Sequence, residues 1–120
     1  LSQLEDQIQV VETTYEFLLA YAAQGREDDA PGPGRKPREV LAQLDAALVA
    51  IDGLLDPAEP FSQVVAEDAA RTRKALALVS AQSRISSELV DNLNASMHLR
   101  AVLTDLFLLS EASRIGAGDP

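Results

Sequence analysis

The run FSQVVAEDAARTRKALALVSAQSRISSELVDNLNASMHLRAVLTDLFLLSEASRI, residues 61–115, contains neither Gly nor Pro, and the way it divides decides the fold. As one straight helix it would extend about 80 Å at about 1.5 Å per residue. A turn inside the run is the more economical solution, and its polar residues mark where. The serines of SAQSRISS (80–87) can cap a new helix, with DNLN (91–94) as the second candidate. Placing the break at the former predicts helices near 58–82 and 86–114.

Upstream, apolar spacing gives two more helices. Leu1, Leu4, Ile8, Val11, Tyr15, Leu18 and Ala22 alternate spacings of three and four, a seam kept for three heptads. Leu41, Leu44, Leu48, Ile51 and Leu55 repeat the device. The segment GREDDAPGPGRKP, residues 25–37, holds three Gly and three Pro and predicts a mobile loop between helices near 2–24 and 38–55. In DPAEP (56–60) Asp56 is placed to cap, Pro57 suits a first helical position and Glu59 stands at capping-box spacing. Seams of this kind suit shallow crossing angles. The expectation is an all-α fold: a four-helix up-down bundle forming one domain over 1–120.

Composition agrees and narrows the functional classes. Hydrophobic residues make up 47% of the 120 positions, aromatics only 4%, and Trp is absent, so Leu, Val, Ile and Ala must build the core. There is no Cys, which removes disulfides, thiolate metal sites and cysteine nucleophiles. The net charge is −9, with Glu5, Asp6, Glu12 and Glu16 unopposed in the first 24 residues and Glu39, Asp45, Asp52 and Asp56 unopposed in 39–56. The local basic cluster Arg71, Arg73 and Lys74 adjoins Glu67 and Asp68, and Glu67 stands in pairing register with Arg71. That pattern argues against a phosphate backbone or an anionic membrane as ligand. No apolar stretch approaches the roughly 18 residues a transmembrane helix needs, and no signal-peptide pattern opens the chain at Leu1. A cytoplasmic address is expected.

Some apolar residues fall off the main seams. At about 100° per residue, Val10, Phe17 and Tyr21 lie nearly opposite the first seam. In the last helix Leu99, Val102, Leu103, Leu106 and Leu109 form the main face, and Val90, Met97, Ala101 and Leu108 line the opposite side. One small bundle needs one apolar face per helix, so these seven residues are expected to bind a protein partner, most simply a second copy in a homodimer.

His98 is the single histidine. The wheel sets Asp91, Asn94, His98 and Asp105 along one polar strip, a possible polar site where a carboxylate would orient the imidazole. The plainer reading is a solvated stripe between two apolar faces. Di-iron bundles use Glu-x-x-His on two helices, whereas Ala95 stands three residues before His98. We therefore expect no metal, no cofactor and no catalytic residue. Glu12 and Glu16, four apart, read as a solvated face. The stretch RISSELVDNL, residues 84–93, resembles the phosphoacceptor box of one class of sensor histidine kinases, in which an Arg-Ile pair precedes Glu-Leu-His-Asp. Val90 occupies the histidine's place, and Ala101 and Val102 stand where lysine and glycine follow a phosphotransfer histidine. What this resemblance implies is a dimerisation bundle that cannot be phosphorylated. Two functional expectations result: a non-enzymatic acidic interaction module, as adaptor, regulator or chaperone-like accessory, or a signalling or small-molecule-sensing bundle.

Overall fold

The computed structural model describes residues 2–30 and 36–116, and the regular structure in them is helical throughout: α1 (Gln3–Ala22), α2 (Pro37–Leu54), α3 (Phe61–Ser80), α4 (Ser87–Ala95) and α5 (Met97–Gly116). Leu1 of the first seam and residues 31–35 of the expected loop lie outside the described residues.

Local chemistry sets the helix ends. Ser2 caps α1, its Oγ accepting the Glu5 N–H at 3.1 Å, and Glu5 and Asp6 complement the helix dipole in the first turn. Gly25, at φ 66°, takes the left-handed conformation that lets the chain turn away after α1. Pro37 occupies the first turn of α2. Ser86 caps α4 by accepting from Leu89 N at 3.0 Å. The start of α3 differs from the expected 58. Asp56 does accept the Ala58 N–H at 2.9 Å, but its carbonyl also takes Glu59 N and the Ser62 hydroxyl, closing a turn over 56–60. Pro60 disfavours a helical Glu59, so the helix begins at Phe61.

The four expected helices are five among the described residues. The break within 80–87 is present, since residues 81–86 connect α3 to α4. A second break at Ser96 divides the expected 86–114 helix. Ser96 is extended, at φ −63° and ψ 141°, ending α4 two residues after DNLN. This break lets the two pieces follow different neighbours. α4 lies along α1, whereas α5 lies along α3 and meets α1 only briefly. α1 also packs along α2, and α2 along α3.

The core fills the space between these pairs with Ile8, Val11, Leu18, Val40, Leu41, Leu44, Leu48, Ile51, Val65, Leu76, Leu99, Val102 and Leu106, among others. In α1 the buried face runs through Thr14 and Tyr21 in place of the expected Tyr15 and Ala22, which are only partly buried. A straight helix drifts by roughly 20° per heptad, and over three heptads that moves the seam by one position. Thr14 can enter because its hydroxyl is within reach of the Val10 and Val11 carbonyls, at 2.9 and 3.0 Å.

The expectation of a mobile loop over 25–37 is corrected for its first half. Ser87 N donates to the Arg26 carbonyl and Arg26 N to Ser87 Oγ, both at 2.8 Å, while Ser87 Oγ donates to the Tyr21 carbonyl at 2.7 Å. Asp29 Oδ1 accepts the Ile85 N–H at 2.9 Å, and its Oδ2 accepts from Arg38 Nε at 2.6 Å. Arg38 goes on to donate to the Ser80 and Gln82 carbonyls at 2.9 and 2.8 Å, closing the C-terminal end of α3. Residues 26–30 are thus stitched to the α3–α4 connection. Gly and Pro content alone does not register such bonds, since they are long-range in sequence.

Candidate functional site

The seven residues expected to bind a partner separate into three groups. Tyr21 and Val90 are core residues, with 1% and 0% of their surface exposed, and their assignment to a partner face is corrected. Tyr21 is covered by the returning chain: its hydroxyl donates to the Ile85 carbonyl at 2.6 Å, with the Asp28 carbonyl at 3.1 Å, and Arg26 lies over its ring at 5.1 Å. Burial pushes this hydroxyl above its ordinary pKa, which keeps it a neutral donor. Val90 was assigned by carrying the helical wheel through residue 96; the break there rotates α4, and Val90 turns inward with Ser87, Leu93 and Asn94. Val10, Phe17 and Ala101 are half-buried, Phe17 stacking on Tyr21 with ring centroids 6.2 Å apart. Met97 and Leu108 are open to solvent, at 81% and 57% exposure.

The polar strip does not assemble. Asp91 is exposed on α4, and Asn94 is buried, donating through Nδ2 to the Leu18 carbonyl at 3.0 Å. The His98 side chain is exposed on α5, and its backbone carbonyl accepts the Thr72 hydroxyl at 2.9 Å. Asp105 is half-buried and faces Asp68 of α3. Ser96 separates the first two residues from the last two, so the expected convergence on His98 is corrected. Among the described residues no group of three or more His, Asp or Glu side chains is placed to hold a metal ion.

What the structure does assemble is a face on α3 and α5. The helices run antiparallel, with Thr72 opposite His98 and Asp68 opposite Asp105. Helical spacing then sets Val64 and Leu78 of α3 on the same outer side as Met97, Ala101, Leu108 and Ile115 of α5. Met97, Leu78, Ile115 and Leu108 are the four most exposed large hydrophobic residues described, at 81%, 67%, 67% and 57%. Sequence reading found Met97 and Leu108 through their shared stripe but missed Leu78 and Val64. The available signal was their seven-residue repeat with Arg71 between them.

Charge distinguishes this face from the rest. α1 carries four acidic residues and no Lys or Arg, and α4 carries Glu88 and Asp91 with none opposed. α5 sets Arg100 and Arg114 against Asp105 and Glu111 and is neutral; α3 has Arg71, Arg73 and Lys74 against Glu67 and Asp68. Arg71 pairs with Asp68 at 3.2 Å and Arg73 reaches Asp45 of α2 at 2.8 Å. The expected Glu67–Arg71 pairing is therefore replaced; Glu67 instead accepts from Gln63 at 3.5 Å.

Where α5 leaves α1, a cleft of about 450 Å³ opens between Leu4, Leu55, Phe61, Leu108 and Leu109, with Asp56 and Glu59 at its rim. Both rim carboxylates accept backbone N–H groups of the 56–61 turn. Among the described residues no helix is long and apolar enough to cross a membrane. No family model, curated protein or solved structure gives a significant match to this chain.

Proposed function

We propose that the chain is a non-enzymatic, acidic helical interaction module that pairs with a second copy of itself through the α3–α5 face. The observation that carries this reading is the coincidence of exposure and charge: among the described residues, the four most exposed large apolar side chains lie on the two helices that have no net negative charge. Two chains of net charge −9 repel, and they repel least where each presents neutral surface. A basic partner would be drawn to α1 instead. Two neighbouring helices about 30 Å long and about 10 Å apart offer roughly 600 Å² in outline, close to the roughly 800 Å² per partner of a standard interface. The second reading, a sensing bundle working through His98, is less favoured because the described Asp91, Asn94 and Asp105 do not converge on that exposed side chain.

Sedimentation equilibrium of two variants beside the parent tests the pairing. Met97→Glu combined with Leu108→Glu is expected to weaken self-association at least tenfold with helix content unchanged, since each introduced carboxylate would be desolvated against its twin. Phe17→Ala, on α1, leaves association as it was. Equal association of the double variant and the parent refutes this face.

A further inference from the structure

Asp105 stands at the floor of the α3–α5 seam, and its surroundings are unusual for a carboxylate. Its Oδ2 is buried and receives no hydrogen bond from any described residue. Across the seam, the antiparallel register fixed by Thr72 and His98 sets a second carboxyl, that of Asp68, facing it. Arg71 supplies Asp68 with a cation on its other side, at Oδ1, whereas Asp105 has none. On α5 itself His98 lies on the same side two turns earlier, and Arg100 points away; α1 and α4 bring no charged group to Asp105. Two carboxyls facing each other in a half-buried seam, one with an unpartnered buried oxygen, favour a proton held between them.

We propose that Asp68 and Asp105 form a proton-operated clamp that holds α5 against α3. With the proton in place, the Asp105 O–H donates to the Asp68 carboxylate. When it is released to solvent, two negative charges face each other in a half-buried seam and push the helices apart. α5 is free to respond because it is joined to α4 through the break at Ser96, meets α1 only briefly, and borders the cleft at its far end. The Thr72 hydroxyl donates to the His98 carbonyl near the Ser96 end and ties the two helices together there. The clamp makes the seam beneath the apolar face responsive to pH in the neutral range. It is intrachain and stands independently of self-association.

Burial first, and then Asp68, push Asp105 up from 3.8 to about 7. A raised carboxyl favours the neutral form in the fold, so the clamp's contribution is complete below pH 3.8 and is lost as pH rises through about 7. Carboxyl carbon NMR of the unmodified chain tests this directly: the assigned Asp105 signal is expected to titrate with its midpoint near 7. A midpoint below about 4.5 overturns the clamp. Asp105→Asn gives the second test, because its amide donates to Asp68 at every pH. The parent's melting temperature should fall between pH 5 and pH 8 by roughly 4 °C more than the variant's. Equal falls overturn the proposal, and the NMR titration decides the question even if the variant does not fold.

Discussion

Asp29 and Asp105 are both half-buried aspartates, and the two ends of the fold treat them in opposite ways. At the Tyr21 end, burial disfavours the Asp29 charge, but the Ile85 N–H and Arg38 outweigh it and hold the carboxyl below its ordinary value. At the α3–α5 seam no cation or N–H of the described residues bonds the buried Asp105 Oδ2, and burial and Asp68 push the carboxyl up to about 7. Burial acts in the same direction at both. The difference lies in which partners the chain delivers, and it assigns one end to holding the fold together and the other to responding.

The largest effect should come from removing the anchor of the closed end. Tyr21→Ala loses a buried ring and its bond to Ile85, and is expected to cost about 3–5 kcal/mol in urea unfolding. The two aspartates then provide a matched pair. Asp29→Asn at pH 7 should destabilise by about 1–2 kcal/mol, because the Arg38 and Ile85 donors lose a charged acceptor. Asp105→Asn at pH 8 should instead stabilise, raising the melting temperature by roughly 4 °C. The same sign for both would break the contrast. Their pH responses should also oppose: the Asp29 contribution is present above 3.8 and disappears as pH falls below it, whereas that of Asp105 disappears as pH rises. Smallest of all should be Asp91→Ala and His98→Ala, each within about 0.5 kcal/mol in the same unfolding assay, since both side chains are exposed.

The residues that could be read from sequence are those whose neighbours are local. The seam positions Ile8, Val11, Leu18, Leu41, Leu44, Leu48 and Ile51 are core residues, as their spacing requires. Leu99, Val102, Leu103 and Leu106 likewise form the inner face of α5. Tyr21 and Val90 were misplaced because a helical wheel extrapolates a straight axis. It has no representation of the chain returning over α1 at residues 26–30, or of the rotation at Ser96. The break at Ser96 carries neither Gly nor Pro; Ser96 Oγ accepts the Leu99 N–H at 3.5 Å, and packing adds to this local cap, with α4 following α1 while α5 follows α3. The Asp68–Asp105 contact was hidden for the same reason. The two residues are 37 positions apart, and only the antiparallel register of α3 and α5 brings them together.

The most direct test of the interaction reading is absolute molar mass by light scattering over a dilution series. The account predicts twice the 12.8 kDa chain mass at high concentration, declining toward 12.8 kDa on dilution. A mass of 12.8 kDa at every concentration would contradict it, leaving the α3–α5 face without its second copy.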